Sequence, residues 1–207
     1  MVYILQHFGV GIAAITGVMA ARGKRVDLFG VVVLALVTAI GGGTIRDCTL
    51  GRLPVFWVKD PNYVFTAVTT AVLTFYLART RQFPHTALLI ADAFALAFFT
   101  IVGLKTALSC SVSPGIAVAM GVVTGVAGGI LRDLLLGEIP LVFRPEIYLY
   151  ATAAFAGAVL FVASAPYLSD DPLDTALSIG TILALRLAGI RWRISLPVFQ
   201  DKAPVQE

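Results

Sequence analysis

The chain has 207 residues, of which 58% are hydrophobic and 13% charged, and its formal net charge is +3. Soluble domains carry about a quarter charged residues, so this composition excludes an ordinary water-soluble fold. The basic residues form short clusters between apolar blocks, with no basic face or aromatic-interleaved stripe, which excludes nucleic acid and favours lipid headgroups as their partners.

Seven apolar blocks are long enough to cross about 30 Å of hydrocarbon as helix. The first, residues 2–21, is too long for a signal-peptide core, and Arg22, Lys24 and Arg25 follow it instead of preceding it, so it is expected to stay in the mature protein. Its Gln6 and His7 read as local hydrogen-bonding residues. The second, 28–50, contains Gly41, Gly42 and Gly43, then Thr44, Arg46 and Asp47. The third, 62–78, carries no charge. The fourth, 86–108, holds Asp92 and Lys105, 13 residues and so about 20 Å apart along a helix. The fifth, 113–136, contains Gly128, Gly129, Arg132 and Asp133; the sixth and seventh are 146–165 and 173–190, with Arg186 inside the last. The breaks between blocks hold charges, Pro or Gly, as loops should, and the tail after Arg193 is polar and expected to be disordered. Cys48 and Cys110 are too few for a disulfide framework and form no CxxC pair, so both read as apolar fillers.

The Lys/Arg bias of the loops sets the expected orientation. With the N-terminus outside, the inner side receives Arg22, Lys24, Arg25, Arg79, Arg81, Arg144, Arg191, Arg193 and Lys202, against Arg52 and Lys59 outside. The acidic loop with Asp170, Asp171 and Asp174 then faces outward, and the C-terminus is cytoplasmic.

Shifting the chain by 86 positions superimposes GGTIRDCTLGRLP at 42–54 on GGILRDLLLGEIP at 128–140, with seven identities in thirteen positions. Upstream, Phe8, Ile15, Gly17, Val37 and Thr38 meet Phe94, Ile101, Gly103, Val123 and Thr124. This is a duplication of units near 1–80 and 87–165, followed by a seventh helix at 172–193 and a polar cytoplasmic tail at 194–207. Each unit holds three spans, and an odd number sets the second copy upside down in the bilayer, as in transport proteins whose path lies at the repeat interface. The expected fold is therefore an all-α integral membrane protein of two inverted three-helix repeats plus one helix.

The glycine runs Gly41–Gly43 and Gly128–Gly129 are expected to break the second and fifth helices and to bare backbone carbonyls toward a watery cavity, a candidate place for K⁺ or Na⁺ at Gly41–Gly43. The alternative is that they let helices pack closely. A charge in hydrocarbon costs a few kcal/mol unless it pairs or reaches water. The Arg46–Asp47 and Arg132–Asp133 dyads therefore either line or plug the two ends of a polar path, or each Arg snorkels to its interface while each Asp caps a loop. Lys105 reads as a movable gate or a snorkelling residue; Asp92 pairs with an inner Arg or is solvated at the helix end. No catalytic or nucleotide-binding motif is present, no resident cofactor is expected, and no metal ligand set can be assigned.

The paired GGGTIRDCTLGRLPVFW and GGILRDLLLGEIPLVF motifs, the arrangement of spans and the length closely resemble the prokaryotic branch of the trimeric intracellular cation channel family, over residues 1–195. The resemblance implies a homotrimer in the inner membrane, each protomer with its own pore kinked at the glycines of the second and fifth helices and conducting K⁺ with some Na⁺. It further implies that Lys105 corresponds to a basic residue linked to gating. Related bacterial sequences are also described as small amino-acid (glycine) transporters, which makes a carrier of the same fold the alternative.

Overall fold

The computed structural model describes residues 2–80, 83–144, 149–168 and 172–194. Arg81, residues 146–148 of the expected sixth span, Asp170, Asp171 and the tail 195–207 with Lys202 lie outside the described residues.

The described chain is helical: α1 Val2–Ala20, α2 Leu28–Thr49, the one-turn α3 Phe56–Lys59, α4 Asn62–Thr80, α5 His85–Leu108, α6 Pro114–Leu135, α7 Ala151–Leu168 and α8 Pro172–Trp192, with a 3₁₀ turn at Leu141–Phe143. Six of these, all but α3 and α4, are long and apolar enough to cross a membrane. The expected third span coincides with a helix, α4, but its threonines at 66, 69, 70 and 74, together with Asn62 and Arg79, leave it less apolar than the six.

Local chemistry explains the helix ends. The Asp27 carboxylate accepts from Gly30 N–H at 2.8 Å and caps α2. Ser113 precedes α6, whose Pro114 sits at the first helical position, where no N–H is needed. The repeated LG that follows each Arg-Asp pair is a helix stop: Gly51 and Gly137 both take φ +67°, which glycine adopts without Cβ strain. Gly51 N–H donates to Cys48 O and Arg52 N–H to Asp47 O; at the second copy, Gly137 N–H donates to Leu134 O and Glu138 N–H to Asp133 O. Both copies thus end in the same Schellman motif.

At the centre, α5 lies along α6 and α1, while α2 lies along α1 and α6. Helix α4 covers α1 and α2; α7 covers α6 and α5; α8 packs on α7 and α5. One apolar core joins Val10, Ala14, Leu34, Ala35, Ala67 and Ala71, and another joins Leu96, Ile101, Leu104, Ala154, Phe161 and Ile182. Small residues let these helices approach. A β-carbon on Gly17 would lie 2.7 Å from Ala35 Cα, and one on Gly103 would lie 2.6 Å from Thr124 Cβ. Phe8, Phe29, Phe65, Leu73 and Tyr167 stay exposed, as side chains facing hydrocarbon would.

Candidate ion pathway and buried charge clusters

The glycines expected to break α2 and α6 do not break them: residues 28–49 and 114–135 are α-helical throughout. Gly41, Gly42 and Gly43 therefore lie within a continuous helix. Thr44 is also engaged, donating to Ile40 O at 2.7 Å and accepting from Trp57 Nε1 at 2.9 Å. The glycines instead set a close crossing. A β-carbon on Gly42 would fall 2.3 Å from Thr124 O, and one on Gly128 would fall 2.3 Å from Thr38 O. Each glycine thus presents hydrogen where a side chain would collide with the other helix's carbonyl. Gly41 faces the end of the Leu131 side chain, and Gly43 faces the Phe56 ring at 2.5 Å from its virtual β-carbon.

The contacts also set direction. Residue 38 meets 128 and residue 42 meets 124, so α2 and α6 run antiparallel through the crossing. Consistently, Lys24, just before α2, pairs with Glu138, just after α6. This hydrogen bond, on the exposed end of the molecule, holds the Glu138 carboxyl below its ordinary value. The dyad that ends α2 therefore lies at the opposite end from the dyad that ends α6.

In the first dyad, Arg46 Nε donates to Asp47 Oδ1 at 2.8 Å, and Asp47 Oδ2 accepts from Phe56 N–H at 2.8 Å. The guanidinium stacks 5.5 Å from the centre of the Phe56 ring. Arg46 and Asp47 are each 2% exposed, so Arg46 does not snorkel; Asp47 both neutralises it and caps the next turn. Close by, Tyr63 O–H donates to Gln6 Oε1 at 3.4 Å. Above this group lies a cavity of about 380 Å³ bordered by Gln6, Asp47, Arg52, Lys59, Asp60 and Tyr63, among others.

The second dyad repeats the device and enlarges it. Arg132 Nε donates to Asp133 Oδ1 at 2.7 Å, and Asp133 Oδ2 accepts from Leu141 N–H at 2.9 Å. Arg132 Nη1 also reaches Asp92 Oδ1 at 3.1 Å, so Asp92 pairs with an arginine and is not solvated. Asp92 Oδ2 lies 3.8 Å from Arg186 Nη2, and the Arg186 guanidinium stacks 4.5 Å from the centre of the Tyr150 ring. Both arginines are fully buried. Gly129 lets these groups close up over the helix: its virtual β-carbon lies 3.2 Å from Tyr150 Oη, 3.6 Å from Asp92 Oδ1 and 3.7 Å from Arg132 Nη2.

The structure thus gathers Gly129, Asp92, Arg132 and Asp133 at one end of the crossing and Gly43, Thr44, Arg46 and Asp47 at the other, while Gly42 and Gly128 meet within it and Gly41 faces Leu131. Lys105 belongs to neither group. It is half-buried on α5, with Nζ 5.2 Å from the Phe161 ring of α7. Sequence reasoning placed Arg186 inside a span but named no partner for it, and it missed Tyr150. A lone arginine within the last apolar span was the available signal. Among the described residues, no three His, Cys, Asp or Glu side chains gather as a metal site.

These features define a multi-pass helical membrane protein with buried ion pairs at both ends of a glycine-tight crossing. A family model described as "Glycine transporter" matches residues 3–79 and again 89–166. The UPF0126 inner membrane protein YadS of Escherichia coli strain K12 is 48% identical over 202 residues, covering 96% of both chains. The crystal structure of the trimeric intracellular cation (TRIC) channel orthologue from Rhodobacter sphaeroides superimposes with a TM-score of 0.88 at 42% identity, over 93% of this chain and 98% of that one. A second TRIC cation channel structure matches with a TM-score of 0.86 at 32% identity, over 97% and 98%. The chain belongs to this family of UPF0126 and TRIC-type membrane proteins.

Proposed function

We propose that the protein is a homotrimeric channel for monovalent cations, K⁺ with some Na⁺, with one path in each protomer between two inverted three-helix units. The observation that carries this reading is the likeness to a TRIC channel orthologue, at a TM-score of 0.88 with 42% identity over 93% of the chain. The units are 1–80 and 87–165, with 172–193 as a further helix and 194–207 as a cytoplasmic tail. The 86-residue sequence repeat, the twofold match of the family model and the antiparallel crossing of α2 and α6 support this division. Counting α4 as a span gives seven; it packs on α1 and α2 as α7 packs on α5 and α6.

In this reading, the path passes the Gly42–Gly128 crossing, and Arg46–Asp47 and Arg132–Asp133 form its two charged ends. Their internal pairing lets arginine sit at membrane depth without a net charge. Helix α5 contributes Asp92 to one end, and Lys105, farther along, is a charge that the membrane field can move. The N-terminus lies outside, following the loop bias in Lys and Arg. Since the glycines lie within continuous helices, selectivity comes from charge and pore width and is modest.

A second reading, carriage of a small amino acid, is favoured by the description of the family model and by the cavity that Arg52, Lys59 and Asp60 border, which offers both charge signs to a zwitterion. Planar-bilayer recording of the purified protein under a KCl gradient separates the two. Unitary currents that reverse near the potassium potential support the channel, whereas glycine-dependent flux without unitary events refutes it.

A further inference from the structure

The two charge clusters occupy matching places in the repeat but differ in composition. The 86-residue shift that pairs Arg46–Asp47 with Arg132–Asp133 pairs Gln6 with Asp92. Gln6 is neutral and accepts a hydrogen bond from Tyr63; Asp92 is charged and lies between Arg132 and Arg186. The second cluster therefore contains one extra negative charge relative to the first, and one extra positive charge to match it. That positive charge comes from α8, which follows the second unit and has no counterpart in the first. Asp92, Arg132 and Arg186 are 4%, 0% and 0% exposed, so bulk water does not screen them.

We propose that Arg186 is a counter-ion of Asp92, and that this pair tunes the charge at the Gly129 end of the path; the proposal rests on the cation-path reading above. With the pair intact, the Asp92 and Asp133 carboxylates face the Arg132 and Arg186 guanidiniums. Without Arg186 the cluster is one unit more negative, which favours a permeant cation at this end of the path. Without Asp92 it is one unit more positive, which repels that cation. Arg186 is thus a positioning residue for conduction, acting through Asp92, and α8 supplies what the duplicated units lack.

Opposite charges make the two single variants diverge, which a purely structural role does not. Full-length protein is reconstituted in planar bilayers with KCl, and unitary conductance is compared among wild type, Arg186→Met, Asp92→Asn, the double variant and Arg186→Lys. Arg186→Met, in which Asp92 keeps Arg132 as a partner, is expected to raise cation conductance by about threefold or more, and Asp92→Asn to lower it by a similar factor. The double variant and Arg186→Lys return close to wild type. Two single variants that shift conductance in the same direction, or a double variant no nearer wild type than either single, overturn the proposal. If the single variants fail to fold, recovery of both fold and conductance in the double variant upholds the pairing, and failure of either overturns it. Wild-type currents with a broken sign pattern defeat only this pairing, whereas a wild-type protein without cation currents defeats the channel reading and this proposal together.

Discussion

Replacing Asp47 and Asp133 by asparagine should have unequal costs, although the two residues occupy the same place in the repeated motif. Asparagine has nearly the volume of aspartate and retains a side-chain oxygen, so the bonds from Phe56 N–H and Leu141 N–H can persist. What is lost is the negative charge facing an arginine that is 2% or 0% exposed. Among the described residues, Arg46 has no second carboxylate within salt-bridge reach, so Asp47→Asn leaves a buried cation uncompensated, at about 3–5 kcal/mol. Arg132 keeps Asp92 at 3.1 Å, so Asp133→Asn forfeits one charge-assisted hydrogen bond, about 1.5–3 kcal/mol. Denaturant unfolding in detergent, followed by the fluorescence of Trp57 and Trp192, measures both. Trp57 reports on the first dyad directly, because its indole bonds Thr44. Converting Arg46 to Met alongside Asp47→Asn removes the orphaned charge and should recover much of the loss. Equal destabilisation by the two single variants, or a larger loss for Asp133→Asn, would refute the argument that Asp92 is a second partner for Arg132.

Gly42→Ala and Gly128→Ala each place a methyl group 2.3 Å from a carbonyl of the facing helix, so each should cost about 1–3 kcal/mol and depress flux. Gly115→Ala, with open space at its β-position, should be silent in the same flux and unfolding assays. Lys105→Gln removes a charge from the far end of α5 and should flatten the voltage dependence of open probability, since one charge crossing the full field is worth about 2.3 kcal/mol per 100 mV; an unchanged voltage response would assign the lysine to headgroup contact. In a background lacking Cys48 and Cys110, a cysteine replacing Lys59 should react with impermeant reagent from outside and one replacing Lys24 only from inside; labelling of both from one side would overturn the inverted arrangement. The Lys24–Glu138 contact should persist from neutral pH into the acid range and be lost as pH falls through the lowered carboxyl value, which nuclear magnetic resonance titration of Glu138 would follow.

Class and element order were legible in the sequence because the bilayer imposes its demands locally. A span must be long and apolar, its backbone must bond within itself, and charges between spans must reach water, and each requirement leaves a mark on consecutive residues. The repeated Arg-Asp pair was equally visible, and the Leu-Gly that follows it in both copies ends its helix locally, since a Schellman stop lies within six residues of chain. The role of the inner glycines was not legible. A Gly run suits a broken helix or a close crossing, and the choice depends on whether Thr124 O and Thr38 O lie opposite, which neighbouring residues do not encode. The partners of Asp92 were hidden for the same reason, since Arg132 is 40 residues away and Arg186 lies on the last helix. Tertiary packing alone brings α5, α6 and α8 together around Gly129. There, away from water, two arginines and two aspartates face one another.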